Sequence, residues 1–184
     1  MKRLMDIVMS LLALVVLSPV FVLTAVAIAL ESGFPVFFSQ TRLGLGGREF
    51  DMLKFRSMRK NAATIGPYFT QANDARITQV GRIIRRTSID ELPQIINVLR
   101  GDMSLVGPRP DVPAQRSLYS DEDWRQRCSV LPGITGLAQA LLRSEGTEAQ
   151  RLELDLRYAC QRSFWLDLKI MWWTLARLNG KGSN

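Results

Sequence analysis

The sequence predicts a predominantly helical α/β chain with one small β-hairpin, held to a membrane at its N-terminal end. Three observations lead there: a 24-residue run without charge, Ile7 to Leu30; a glycine-rich turn between two short apolar stretches; and amphipathic segments downstream that end in a tryptophan-rich helix. At 184 residues there is room for one domain and an anchor. Apolar residues at 47% and charged residues at 22% are ordinary globular values, so a packed core is expected.

The apolar run comes first. As a straight helix it would cover ~36 Å, enough to cross a bilayer. A signal peptide is the competing reading, because Lys2 and Arg3 precede the run and Ala25-Val26-Ala27 resembles a cleavage site; the run is long for that role. Ser18-Pro19 sits at its midpoint. Proline removes one amide donor and crowds the carbonyl of Val15, so a bend is expected, with Ser18 able to satisfy part of the freed backbone. Each half is then ~18 Å, too short to cross alone. Basic residues flank both ends (Lys2 and Arg3 before; Arg42, Arg48, Lys54 and Arg56 after), and the positive-inside rule prefers all of them on the cytoplasmic side. A re-entrant hairpin satisfies both flanks, and a kinked spanning helix is the alternative.

After the Gly33-Phe34-Pro35 exit, Val36-Phe37-Phe38 and Phe50-Asp51-Met52-Leu53 flank Gly44-Leu45-Gly46-Gly47, which reads as a hairpin turn; without a GK[ST] ending it is not a phosphate loop. Residues 61 to 75 are polar and turn-rich and predict a surface loop. Helices are expected over Val80 to Arg86 and Leu92 to Leu99, with Gly101 capping the second. Ser163 to Asn179 is apolar on nearly every face and short for a span, which suits an interfacial helix, a buried core helix being the alternative. Cys128 and Cys160 match no metal or redox spacing and are expected to be buried structural thiols.

Composition narrows the chemistry. Histidine is absent, which removes His-based nucleophile systems, general bases and zinc sites. Of 24 basic residues 19 are Arg, and the net charge is +7. Arg presents a planar fork matched to phosphate, so an anionic partner is expected: nucleic acid, acidic lipid or a phosphorylated substrate.

The densest polar cluster runs from Arg76 to Pro110, where six arginines surround the adjacent pair Asp90-Glu91. With Pro93 as the first helical residue, both carboxylates should lie at a helix entry and stay ionised. An ionised Asp beside a divalent cation can attack phosphorus while the second carboxylate holds the ion and arginines neutralise phosphate charge. A structural reading competes: Ser88-x-x-Glu91 is also a capping box, and Asp90 could pair with Arg85 or Arg86.

Longer strings now matter: Lys54-Phe55-Arg56-Ser57-Met58; Arg85-Arg86-Thr87-Ser88-Ile89-Asp90-Glu91-Leu92-Pro93-Gln94; the stretch from Asn97 through Arg100-Gly101-Asp102 to Gly107-Pro108-Arg109-Pro110; and Pro132-Gly133-Ile134-Thr135-Gly136-Leu137-Ala138-Gln139. In this order they resemble the bacterial sugar transferase family, the small monotopic phosphoglycosyl transferases, over the whole chain. The resemblance implies a monotopic enzyme with residues 1–32 as a re-entrant helix broken at Ser18-Pro19. Residues 33–184 would form a catalytic domain on the cytoplasmic face of the bacterial inner membrane, with 163–179 as its interfacial helix.

It implies Asp90 as nucleophile toward the β-phosphorus of a UDP-sugar, UMP release, and transfer of the phosphosugar to undecaprenyl phosphate. Glu91 matches the second carboxylate, with Mg²⁺ held by Asp90 and Glu91. Lys54, Arg56, Arg85, Arg109, Gln139 and Arg143 are the matching candidates for binding phosphate or substrate. Membrane lipids are expected partners, nucleic acid is not, and a homo-oligomer is left open.

After Gln139 the family often continues with Asn-Gly-Arg, where this chain has Leu141-Leu142-Arg143. Leucine for glycine restricts the backbone, so the loop is expected to take another path or face lipid. A membrane-tethered nucleic-acid module would also be Arg-rich. It needs exposed aromatics interleaved with basic residues, whereas here they concentrate in Phe34 to Phe38 and the C-terminal helix. A non-catalytic scaffold is the third reading.

Overall fold

A computed structural model describes residues 1–60, 62, 74–142 and 146–178. The loop expected over 61 to 75 therefore lies largely outside the described residues, as do Arg143 and Asn179. Helix α1 spans Lys2–Ser32 and is followed by strands β1, Phe37–Leu43, and β2, Glu49–Phe55. Then come α2, Gln79–Arg86; α3, Gln94–Arg100; β3, Ser104–Val106; and α4, Asp121–Arg127. The described part ends with β4, Gly133–Thr135; α5, Leu137–Leu142; α6, Glu148–Gln161; and α7, Phe164–Leu178. The expected mostly helical class with one hairpin is present.

Helix α1 is continuous through Pro19, so the chain is not divided at Ser18-Pro19 into two separate helices. Proline costs the helix only one hydrogen bond, and the Ser18 hydroxyl donates to the carbonyl of Val15 at 2.8 Å, which replaces it. Among the described residues α1 is the one helix long and apolar enough to cross a membrane. Its middle is bare: Val15 is 73% exposed and Leu23 70%.

Its two ends are seated on the same folded body. At the start, Lys2 donates to Asp167 at 2.7 Å and to the carbonyl of Val106 at 3.1 Å. Arg3 donates to the carbonyls of Val98 and Leu99 at the C-terminus of α3, and Asp6, 1% exposed, accepts from Ser104 Oγ and the Leu105 amide. At the far end Glu31 accepts from the amides of Gln79 and Val80, the first turn of α2. An Arg thus meets free carbonyls and a Glu meets free amides, the favourable sign at each helix terminus. Ile28 completes the contact by packing against Phe55 and Ile84.

The hairpin pairs antiparallel with Thr41 opposite Asp51, and its turn places Gly46 and Gly47 at φ 64° and 75°, where a side chain would be strained. It docks on α3 through Asn97, which is fully buried. The Asn97 side chain accepts from the Leu53 amide at 2.9 Å and donates to the Asp51 carbonyl at 2.8 Å, acting as a neighbouring strand would. Gly101 caps α3 at φ 97°, as expected. A second, parallel pair of short strands sets Ser104 opposite Gly133 and Val106 opposite Thr135, and the largest apolar cluster forms around Val106, Leu137, Tyr158 and Ile170.

One expectation is corrected: Cys128 is buried, but Cys160 is exposed on α6. At the Leu141-Leu142 departure the chain is helical, as the end of α5, a conformation leucine favours over glycine. Helix α7 is two-faced: Ile170 and Asp167 are buried while Trp165 and Trp172 lie open, so it is not wholly a core helix.

Tyr158 locks α6 to this assembly, with its hydroxyl 2.9 Å from the Val106 carbonyl and 2.7 Å from Asp167 Oδ1. Tyr158→Phe keeps the ring and strips a donor from a buried carboxylate, so a loss of about 1–3 kcal/mol is expected. Thermal unfolding of both proteins in one detergent checks it; an unchanged midpoint would count against this network.

Candidate active site

The backbone turns sharply after α2. Ser88 takes a left-handed conformation at φ 56°, and Ile89–Glu91 forms one 3₁₀ turn before α3. A non-glycine residue held there stores strain next to the paired carboxylates. Pro93 is the cap of α3 rather than its first residue, so Asp90 and Glu91 precede the helix. The expected capping box does not form: the Ser88 side chain caps nothing, because its left-handed backbone directs it away from the turn's amides.

Glu91 points elsewhere. Its Oε1 accepts from Lys54 Nζ at 2.9 Å and from Arg109 Nη2 at 2.7 Å, which ties the turn to β2 and to the segment after β3. Burial alone would push the Glu91 carboxyl up, but the charges and hydrogen bonds of Arg109 and Lys54 outweigh it and hold the pKa at about 2. Asp90, only 9% exposed, behaves oppositely. Burial, and then the neighbouring Glu91 charge, raise its pKa above the ordinary value, while Lys54 and Arg85 pull it down. The two carboxylates are thus held differently: Glu91 is kept as an anion by its two cations, and burial with the Glu91 charge raises the Asp90 pKa above its ordinary value. Among the described residues no salt bridge joins Asp90 to Arg85 or Arg86, although the Arg85 charge pulls the Asp90 pKa down.

Two cavities share this turn. A cleft of about 910 Å³ is lined by Asp90 and Glu91 with Lys54, Arg85, Arg109 and Arg42, and by apolar side chains such as Phe38 and Leu118. A second cavity of about 740 Å³ shares Glu91 and Arg109 but is mostly apolar, lined by Leu92, Ile95, Leu105 and Ile134. Arg85 donates to Ser57 at 2.7 Å on the cleft wall.

The sequence candidates separate here. Asp90, Glu91, Lys54, Arg85 and Arg109 come together. Arg56 does not: it is 7% exposed, and its guanidinium donates to Ser32 Oγ and to the carbonyls of Gly33 and Pro35 beyond the end of α1. Gln139 donates to the Ile134 carbonyl at 3.1 Å and lines the apolar cavity, while Arg143 lies outside the described residues. In the sequence Arg42 stood out only as a basic flank of the apolar run and Ser57 only as part of a longer string, while nothing around Arg127 separates it from an ordinary polar surface.

The model of the bacterial sugar transferase family matches residues 1–181. The chain is 46% identical over 186 residues to a UDP-glucose:undecaprenyl-phosphate glucose-1-phosphate transferase of Caulobacter vibrioides, covering 96% of this chain and 69% of that protein. It is 43% identical to a UDP-N-acetylgalactosamine-undecaprenyl-phosphate N-acetylgalactosaminephosphotransferase of Aeromonas hydrophila, covering 95% and 42%. With a UDP-glucose:undecaprenyl-phosphate glucose-1-phosphate transferase of Escherichia coli it shares 44% identity, covering 95% and 39%. The chain therefore spans less than half the length of the last two relatives. The full-length match, together with the strings around Asp90-Glu91 and Arg109, places this chain in the bacterial sugar transferase family.

Proposed function

We propose that the chain moves a sugar 1-phosphate from a UDP-sugar to undecaprenyl phosphate in two steps through Asp90, as a first membrane step of glycan assembly. The observation that carries this reading is the unequal pair: one carboxylate fixed as an anion by Lys54 and Arg109, the other beside it, shifted and facing a cationic cleft. A donor diphosphate suits the lysine and arginines of the cleft, and an isoprenoid chain suits the apolar cavity that opens from the same two residues.

In the first step an Asp90 oxygen bonds to the β-phosphorus as the bond from that phosphorus to the UMP oxygen breaks, and UMP leaves with the electron pair. In the second, the phosphate oxygen of the lipid bonds to the same phosphorus, the acyl phosphate bond breaks, and Asp90 regains its carboxylate. Lys54, Arg85 and Arg109 offset the phosphate charges through both steps.

Mg²⁺ fits the donor set in one way. Among the described residues no three His, Cys, Asp or Glu side chains converge, so a cage of protein ligands is absent. Asp90 and Glu91 would hold the ion, a number of protein ligands that Mg²⁺ accepts beside substrate phosphates, and when bound it would supply further neutralisation of phosphate charge.

The placement at the membrane belongs to the same proposal. A 31-residue helix with both ends bonded to one body and a bare middle suits re-entry into one leaflet better than a crossing, with the catalytic domain on the cytoplasmic face of the inner membrane and α7 lying in the interface. In a Cys160→Ser background, which removes the exposed thiol, single cysteines at Met1 and Arg48 should both label from the cytoplasmic side alone. Labelling of position 1 from outside would establish a spanning helix.

For the chemistry, intact mass of the protein mixed with UDP-sugar and Mg²⁺ but no lipid should rise by one phosphosugar, mapped to the peptide containing Asp90. Asp90→Asn should show no adduct and a loss of turnover of at least about 10³-fold, as for a missing nucleophile. Full turnover in Asp90→Asn would leave direct transfer between bound substrates.

The pH dependence has a defined sign. Asp90 attacks only when ionised, and burial with Glu91 raises its pKa, so the lipid-free burst of UMP should fall on the acid side above the ordinary carboxylate range. Glu91→Gln removes the neighbouring negative charge and leaves Lys54 and Arg109 in place, so the acid limb of its residual burst should move to lower pH. A shift upward would contradict this electrostatic account.

A further inference from the structure

Arg109 owes its place to a segment whose backbone is bonded at nearly every residue. The Val106 carbonyl accepts from Lys2 and Tyr158, and the Gly107 amide donates to Thr135 at 2.9 Å. The Pro108 carbonyl accepts from the Gly133 amide at 2.9 Å, the Pro110 carbonyl from Arg42 at 3.0 Å, and the Asp111 carbonyl from the Leu43 amide at 2.8 Å. Prolines on both sides of Arg109 fix φ and offer no amide of their own. The carbonyl of Arg109 itself accepts at 2.7 Å from Arg127 Nη2.

Arg127 is 6% exposed and comes from the end of α4. Its guanidinium is held between two buried carboxylates, donating to Asp111 Oδ2 and, through Nε at 3.0 Å, to Asp155 Oδ2. Tyr119 closes the group, with its ring 5.3 Å from the guanidinium carbon and its hydroxyl donating to Asp111 Oδ1. Burial pushes the Asp155 carboxyl up against the pull of Arg127, to about 6. Taking three charged groups out of water is a weak way to gain stability, since apolar residues would fill the volume at less cost. What the arrangement does supply is a fork with one orientation, and one of its tines ends on the Arg109 carbonyl.

We infer that Arg127, clamped between Asp111 and Asp155, is a positioning residue for the transfer. By fixing the Arg109 carbonyl it aims the Arg109 guanidinium at Glu91 and the cleft. The inference rests on the reading of that cleft as the site of phosphosugar transfer. It assigns to Arg127 no contact with substrate: its effect passes through Arg109 alone. A displacement near 1 Å at a charge-stabilising group costs up to about 10²-fold in rate. Arg127→Lys keeps a charge between the two carboxylates and loses the second arm, so the Arg109 carbonyl goes unheld.

The test is a double-mutant cycle on the full chain in lipid nanodiscs, with UDP-sugar, undecaprenyl phosphate and Mg²⁺. Arg127→Lys should lower kcat/KM by about 10- to 100-fold with Arg109 present. It should lower it no further when Arg109 is already alanine, or lysine where alanine leaves too little turnover to measure. Asp155→Asn, which keeps an acceptor for the fork, should retain more activity than Arg127→Lys. Equal fold losses in both backgrounds would mean a merely structural role and overturn the inference.

Amide hydrogen exchange gives a readout that needs no turnover. In Arg127→Lys the amides of Gly107, Gly133 and Leu43 should exchange faster, with the α1 and α3 amides unchanged. Unaltered exchange at the three amides would also overturn the inference. If the wild type transfers no phosphosugar at all, the proposed function falls, and exchange still decides whether Arg127 holds the segment.

Discussion

Everything at the site depends on one oxygen atom. Glu91 Oε1 receives Lys54 from the hairpin and Arg109 from the segment after β3, so three stretches far apart in sequence meet there. The ion group is 22% exposed on the Glu91 side chain, sheltered enough for two cations to hold the carboxylate near a pKa of about 2. Burial, and then the negative charge one residue away, raise the Asp90 carboxyl above its ordinary pKa. Two adjacent acids with similar intrinsic chemistry are thereby shifted in opposite directions. That division comes from environment rather than from residue type.

The same clamp connects the cleft to the membrane helix. Arg109 follows Val106 by three residues, and the Val106 carbonyl is bonded to Lys2 in the first turn of α1. Lys2 also reaches Asp167 on α7, whose open tryptophans lie on the other face of that helix. The elements with the greatest exposed apolar surface are therefore attached, through one or two hydrogen bonds, to the backbone that carries a cleft arginine. In the proposed reading, an acceptor dissolved in lipid must reach a phosphorus bound in the cleft that holds Asp90 and Glu91. A shared frame for anchor and cleft fixes the height of one relative to the other, which neither element could do alone.

How much of this the sequence reveals depends on whether the determinant is local. The hairpin, Gly101 and the long apolar run were legible because each depends on a few consecutive residues: positive φ at Gly46 and Gly47, a left-handed cap, and uniform apolarity. Asp90 and Glu91 were legible as a pair, and the opposite directions of their pKa shifts were not, since the Glu91 shift comes from Lys54 and Arg109, which are 37 and 18 residues away from it. Ser88-x-x-Glu91 spelled a capping box whose geometry the left-handed Ser88 cancels. Asn97 replaces a strand, and no pattern of hydrophobicity announces a side chain that pairs with backbone.

Arg56 shows why composition overstates anion binding. It sits in a string that reads as phosphate-binding, and its fork is spent on the carbonyls beyond α1; Arg3 is spent on those ending α3, and Arg127 on two buried aspartates. The net charge of +7 is therefore a poor measure of what the cleft can hold. The relevant quantity is local: Lys54 and Arg109 close on Glu91, Arg85 on Ser57 and Arg42 on Gln40 and the Pro110 carbonyl, and all four line the cleft that holds Asp90 and Glu91. In the proposed reading that basic lining meets the charge of a donor diphosphate. An arginine count taken from sequence cannot separate those that brace the frame from those that face the substrate. The distinction rests on whether a backbone carbonyl or an open cavity lies at the end of the side chain.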